Sequence, residues 1–263
     1  MSTVAKALAL LNLVAAEEEE KGLSELARLA GMDKATTRRM LVELEAHGFL
    51  EQDTVTRRYR IGAAPVRLAR IREARVPLLR AAIPFIKELA QATGETCHLA
   101  EFSGGALHSL HVEDCPKAHR VIVDVGVILP LHATASGLAF LASLPHDATE
   151  ALLKEPLEAF TDATVTDLAT LRQRLDETRK RGWSINRNGL EAGVVSVATA
   201  VLGADRRPVA TLAIAAPDVR IDPPHLEELG LKVADAAGRL SARLNGNEGA
   251  PSAPLKMIRG MRP

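Results

Sequence analysis

The sequence predicts an α+β protein in two parts: an N-terminal winged helix-turn-helix and a larger C-terminal domain with a largely antiparallel sheet. Three observations carry this. Apolar residues recur at helical spacing through the first part, a basic hairpin closes it, and beyond Gly94 the apolar period shortens to that of strands before helices return. A chain of 263 residues has room for both domains and for a substantial core in the larger one.

Composition narrows the class. Lysine plus arginine and aspartate plus glutamate each number 33, so the formal net charge is zero. The distribution is uneven, however. Between Lys34 and Arg75 ten basic residues face five acidic ones, a local excess that suits phosphate contact. Two cysteines, Cys97 and Cys115, form no CxxC pair, which gives neither a disulfide framework nor a cysteine-rich zinc site. The apolar stretch Val4 to Ala16 is too short to cross a bilayer and runs into Glu17 to Glu20 instead of a cleavage site, so a cytoplasmic protein is expected.

In the first domain, Val4, Ala7, Leu8, Leu11, Val14 and Ala15 mark one helical stripe. A second helix is expected to be capped by Ser24, with Leu26, Leu29 and Ala30 inward, and to stop at Gly31. A third starts at the N-cap Asp33, buries Thr37, Met40, Leu41 and Leu44, and runs to about His47. Its opposite face then presents Lys34, Ala35, Thr36, Arg38 and Arg39, a set of hydroxyl and guanidinium groups able to read base edges in a major groove. Phe49-Leu50 and Arg58 to Ile61 read as a hairpin whose tip offers Thr54, Thr56, Arg57 and Arg58 to the DNA backbone or minor groove. No aromatic platform accompanies them, which favours duplex DNA over single strands or RNA.

Domain boundaries are expected at 1–63 for the winged helix-turn-helix, 64–79 for a linker helix interrupted at Pro77, 80–245 for the second domain and 246–263 for a disordered tail. An amphipathic linker leaves an apolar stripe exposed in a monomer, so the linker and the first helix are expected to form a homodimer, with a tetramer as the larger alternative. In the second domain strands are expected at Thr96 to Phe102, Ala106 to Val112, Arg120 to Val125, Trp183 to Asn186, Val194 to Leu202 and Val209 to Ala215. Helices are expected at Leu78 to Ala92, Ser136 to Ser143, Asp147 to Lys154, Asp167 to Arg181 and after Pro223-Pro224, with Asp147 and Asp167 as caps.

The order Leu23-Ser24-Glu25-Leu26-Ala27, Gly31, Lys34 to Leu44, Gly48-Phe49-Leu50 and Tyr59-Arg60-Ile61-Gly62 resembles the DNA-binding domain of the IclR family of bacterial regulators. Thr93 to Thr96, Gly126, Leu129 to Gly137, Glu191 with Gly193 to Ala198, and Pro208-Val209-Ala210 resemble that family's effector-domain signatures. The resemblance implies a GAF-like effector-binding fold, a small-molecule ligand and a repressor-type regulator. It also implies a pocket lined by Ala135, Ser136, Asn186, Ser196, Ala213 and Ala215. Two positions depart from the family pattern. Leu138 stands where a lysine is usual, and Ala213 and Ala215 replace serine hydroxyls that some members use to hold small oxo-acids. Methyl groups cannot donate hydrogen bonds, so a more apolar or differently anchored ligand is expected.

Other residues invite different chemistry. His108 and His111 lie three apart in an expected strand, hence on opposite faces, so no metal site and no cofactor is expected. His132 or His98 would serve as a neutral hydrogen-bond donor to a ligand or as a structural histidine, and His132 is counted with the effector-binding set. Cys97 with His98, or Cys115 with His119, lacks the third member of a catalytic group, and no GxSxG, P-loop or GxGxxG occurs, so no catalytic residue is expected. The functional expectation is an effector-modulated, sequence-specific DNA-binding transcription regulator. The alternatives are a DNA-binding protein whose second domain only oligomerises and an enzyme with a DNA-binding appendage.

Overall fold

A computed structural model describes residues 2–75, 77–154 and 156–246. It divides between Pro77 and Leu78 into two compact units.

The first unit opens with α1 (Thr3–Ala16), whose start is capped by Ser2 Oγ accepting from the Ala5 N–H at 3.1 Å. A two-residue strand β1 (Lys21–Gly22) leads into α2 (Leu23–Leu29). Ser24 is not the cap: Glu25 reaches back, and its Oε2 accepts from the Gly22 N–H at 3.0 Å. Leu26 and Ala27 are buried, whereas Leu29, expected inside, is 41% exposed. After Gly31, whose φ of +61° a side chain would disfavour, α3 (Lys34–Ala46) begins at Asp33 and buries Thr37, Met40, Leu41 and Leu44 as its spacing requires. Strands β2 (Leu50–Gln52) and β3 (Arg58–Ile61) form the hairpin, and β1 adds to its other side to give the antiparallel order β1-β3-β2. Two residues carry no periodicity, so β1 is invisible to sequence patterning. Leu10, Val14, Leu26, Met40, Leu41, Leu44, Leu50 and Tyr59 make one core. Helix α4 (Ala64–Arg75) follows and buries only Ala64 among its described residues.

The second unit is a six-stranded antiparallel sheet with helices on both faces. Its elements are α5 (Leu78–Thr93), β4 (Thr96–Ser103), β5 (Ala106–Glu113), β6 (Ile128–Leu129), α6 (Ala135–Ser143), α7 (His146–Leu152), α8 (Leu168–Arg181), β7 (Ser184–Arg187), β8 (Val194–Leu202), β9 (Pro208–Pro217) and α9 (Pro223–Leu244). The strand order is β6-β5-β4-β9-β8-β7. Alternation decides the two faces. Cys97, Leu99, Val195, Val197, Leu212 and Ile214 pack beneath α5 and α9, while the intervening residues face α6. Helix α8 covers α6, and Leu138 fills the seam between them with Leu141, Leu171 and Leu175, so the side chain at the family's lysine position is a core residue here.

Three expectations change. Arg120 to Val125 forms no strand but an irregular strap, and the strand beside β5 is the short Ile128–Leu129. Asp147 lies in the first turn of α7, whose N-cap is Pro145. His108 and His111 share a face, because a bulge in β5 absorbs Leu110: His108 pairs with Glu101 and His111 with Leu99, residues two apart on β4. Even so, no group of three potential ligands for a metal ion gathers among the described residues. Cys97 and Cys115 are free and buried. No helix of the described residues is long and apolar enough to cross a membrane. The tail expected from 246 to 263 lies, Gly246 apart, outside the described residues.

Helix α6 approaches its neighbours closely at Gly137, where a Cβ would sit 2.2 Å from the Leu131 carbonyl oxygen. Gly137→Ala is therefore expected to destabilise the second unit by about 1–3 kcal/mol. Denaturant unfolding followed by the fluorescence of Trp183, the single tryptophan and a buried one, measures it; an unchanged midpoint would contradict the close approach.

Candidate functional sites

In the first unit, Asp33 Oδ1 accepts from the Thr36 N–H at 2.8 Å, and this backbone donor holds the Asp33 carboxyl below the usual carboxylate range. Thr37 Oγ1 donates to the Asp33 carbonyl at 2.9 Å, which turns Thr37 into the core. The opposite face of α3 leaves Lys34, Ala35, Arg38 and Arg39 exposed and Thr36 half-buried. Lys34, Arg38 and Arg39 make no ion pair or side-chain hydrogen bond among the described residues. Val42 continues the face as an exposed apolar residue.

The hairpin turn is organised by Asp53, whose Oδ1 accepts from the N–H groups of Val55 and Thr56 at 2.9 and 2.7 Å and from the Thr56 hydroxyl at 3.0 Å. The Thr56 hydroxyl is thus committed inside the turn. Arg58 is committed too, its Nη1 donating to the Glu20 carbonyl at 2.7 Å. Arg60 pairs with Glu51 and Glu20, and Lys21 with Glu17 and Glu19. The run of four glutamates, which reads as a solvated helix end, therefore follows α1 and braces the strands of the hairpin. Thr54 and Arg57 project from the turn beside Val55, which is 87% exposed. The phenol of Tyr59, raised above its ordinary pKa chiefly by burial, also senses Arg57 of the turn and Arg38 of α3, so the two basic elements lie around one core residue.

In the second unit, strand register assembles a cavity of about 170 Å³. Thr96, Ala215, Ser196 and Asn186 form one row across β4, β9, β8 and β7, and His98, Ala213, Ala198 and Ser184 form the next. Ala135 and Ala139 of α6 rest on Ala198 and Ala213, and Ser184 Oγ donates to the carbonyls of Ala135 (2.7 Å) and Ala198 (3.1 Å), which fixes the start of the helix over the second row. Thr134 caps α6, its Oγ1 accepting from the Gly137 N–H at 3.0 Å. Beyond the first row the turn carrying Leu190 and Glu191 closes one side of the cavity. The strap supplies Val121, Ile122, Val123, Asp124 and Val127.

Side chains at the root of the strap hold it in place. Thr96 Oγ1 donates to the Val121 carbonyl at 2.7 Å. Buried Glu95 accepts from Lys117 Nζ at 2.8 Å and Arg220 Nη2 at 2.6 Å, and Arg220 Nη1 donates to the His119 carbonyl at 2.6 Å. The far end is fixed by the Gly126 N–H donating to the Ser109 carbonyl and the Ser109 N–H donating to the Val127 carbonyl.

Ala135, Ser136, Asn186, Ser196, Ala213 and Ala215 all line the cavity. His132 does not: its Nε2 bonds the Glu158 carbonyl at 2.8 Å and its ring tilts against Phe160. His98 takes its place. It is only 6% exposed, its Nε2 lies 3.3 Å from Ser136 Oγ, and its Nδ1 has no hydrogen-bond partner. Burial pushes its pKa down to about 4, so the ring is neutral at pH 7. Cys97, its neighbour on the other face, is pushed up to about 12 by burial and is no nucleophile at neutral pH. Sequence patterning missed the strap residues because an irregular segment has no period, although the apolar run Val121-Ile122-Val123 was visible.

Two family models match the chain: the IclR helix-turn-helix domain over residues 3–54, and the bacterial transcriptional regulator IclR C-terminal domain over residues 73–242. The acetate operon repressor of Salmonella typhimurium is 29% identical over 249 residues, 94% of this chain and 91% of that protein. The glycerol operon regulatory protein of Streptomyces griseus is 31% identical, covering 93% and 96%. Among solved structures, a putative IclR transcriptional regulator from Silicibacter sp. TM1040 superposes with a TM-score of 0.80 at 39% identity, covering 95% of this chain and 98% of that one. An IclR homologue from Microbacterium hydrocarbonoxydans, complexed with 4-hydroxybenzoate, shares the fold at 23% identity and a TM-score of 0.80, covering 93% and 100%.

A histidine that is neutral when folded but ordinary when unfolded takes up its proton only on unfolding. Stability is therefore unaffected above pH 6.5 and is lost as pH falls from 6.5 towards 4. His98→Gln should flatten this acid limb, by up to about 1.4 kcal/mol per pH unit. Identical limbs in Trp183-monitored unfolding of both proteins would show that His98 is not buried neutral.

Proposed function

Because this chain belongs to the IclR family of bacterial transcription regulators, we propose that it reads its operator with the exposed face of α3 and the hairpin tip, and that its effector occupies the cavity between the sheet, α6 and the strap. The protein is a DNA-binding transcription regulator of the effector-modulated, repressor-containing type. The observation that carries the residue-level reading is the pairing of an unspent cationic surface with a lined cavity. Lys34, Ala35, Thr36, Arg38 and Arg39 present α3 to the major groove, and Thr54, Arg57 and the backbone at Thr56 present the tip. Arg58 supports the tip through Glu20.

Domain functions follow residues 1–63 for DNA binding, the linker helix at 64–79 and 80–245 for effector binding. The protein works in the cytoplasm as a homodimer, with no catalytic step. Val4 and Leu8 of α1 and Leu68 and Ile71 of α4 are exposed apolar residues of the kind a second protomer covers, and two protomers read a palindromic site through effective concentration. A small metabolite acts by binding one of two states of the dimer better, shifting the population able to hold DNA. The Microbacterium homologue's complex with an aromatic acid supports a small organic effector.

Fluorescence anisotropy on the protein's own promoter region tests the DNA assignment. Arg38→Ala and Arg39→Ala are each expected to cost about 1–3 kcal/mol of specific binding if the side chain reads a base, and to lower the salt dependence if it contacts phosphate. Full specific affinity in both variants would place recognition elsewhere. For the cavity, a metabolite screen by thermal shift should yield a compound whose stabilising effect Ser196→Trp removes, because the indole fills the first row of the sheet; stabilisation that persists would move the site.

A further inference from the structure

The charges in the cavity wall are of one sign. Asp124 of the strap and Glu191 of the β7–β8 turn are the ionisable carboxylates that line it, and no lysine or arginine does. Both carboxylates are exposed, and neither makes an ion pair or hydrogen bond among the described residues. Elsewhere in the molecule Glu20, Glu51, Glu88, Glu95, Glu150, Asp218 and Glu228 each meet a cation. His98 adds an independent sign of a missing partner: more than nine-tenths buried, lining the same cavity, it carries a ring nitrogen that bonds nothing among the described residues. Its neutral ring supplies no countercharge at pH 7. The remaining wall is mostly methyl and branched aliphatic groups, from Val121, Ile122, Leu129, Leu190, Val194 and Ala213.

An anionic ligand entering here would add a third negative charge near two unpaired carboxylates. A protonated amine would instead find carboxylate counterions in the wall. A hydroxyl or carbonyl on the same ligand would give His98 the bond it lacks. We propose that the cavity takes a small organic amine: an apolar body with a protonated amino group directed to Asp124 and Glu191, and one further hydrogen-bonding group directed to His98. This rests on the reading of the cavity as the effector site.

Isothermal titration calorimetry on the full chain at pH 7 tests it with two matched series. One is para-hydroxybenzylamine, para-hydroxybenzyl alcohol and para-hydroxybenzoate; the other is butylamine, butanol and butyrate. In at least one series the amine should bind about tenfold more tightly than the acid, with the alcohol between, and the gap should narrow at high salt. In a variant carrying Asp124→Asn and Glu191→Gln, both at exposed positions, amine and acid should come within about twofold of each other. Acids that bind the unaltered protein as tightly as their amines in both series, or an amine preference that survives neutralisation of both carboxylates, overturn the inference. Ser196→Trp separates this failure from that of the underlying reading. If it removes the binding of an acid, the cavity is the effector site and only its charge preference is wrong; if probe binding persists in it, the site assignment itself fails. Absence of binding by all six probes overturns the inference and leaves the cavity reading to the metabolite screen.

Discussion

The close seat of α6 on the sheet is the constraint on which the second unit depends. A helix and a sheet carrying large side chains pack about 10 Å apart and leave little between them but those side chains. Here alanines meet alanines at Ala135, Ala139, Ala198 and Ala213, Gly137 admits the Leu131 backbone, and the Ser184 hydroxyl bonds both layers. Ala135 and Ala139 of the helix rest on the strands while Leu138 and Leu141 on its other side engage α8. The adjacent row of Ser196, Asn186 and Ala215 lines the cavity beside the start of α6, and strap residues complete its wall.

How far the sequence revealed this depended on the kind of signal each part emits. Helices with a repeating apolar face, such as α3 with Thr37, Met40, Leu41 and Leu44, follow from spacing, and Asp33 and Asp167 cap as their positions imply. Where two caps competed, pattern failed. Glu25 acting from inside α2 displaced Ser24 as the organiser of the helix start. Arg120 to Val125 has strand-like composition, but it joins no strand and is held by the side chains of Thr96, Glu95 and Arg220, most of them far away in sequence. The bulge at Leu110, which puts His108 and His111 on one face, leaves no trace in composition. The cavity positions carried by the family resemblance fell together because strand register is set by the alternation of buried residues, a signal the sequence does carry. His132, adjacent to the same motif, turned outward to a loop carbonyl that no spacing rule connects to it.

Electrostatics divides labour within this electroneutral chain. In the hairpin, arginines and glutamates largely satisfy one another, so the count of basic residues between Lys34 and Arg75 overstates what is available to phosphate. The cations that remain open include Lys34, Arg38 and Arg39 on α3, Arg57 at the turn, and Arg67 and Arg70 on α4. In the second unit the opposite selection holds: Glu95 is buried and doubly paired, whereas the two carboxylates at the cavity are left without cations. Buried, paired charge fixes geometry, and exposed, unpaired charge is free to meet something from outside.

The strap adds a kinetic dimension to this arrangement. The N–H groups of residues 118–125 donate to no other group among the described residues, while the strands around them are fully laddered. One wall of the cavity is therefore backbone without amide hydrogen bonds, anchored at its ends, and its amides are expected to exchange with deuterated solvent faster than those of β4, β8 and β9. Slowed exchange of that wall would register an occupant directly, without reference to DNA.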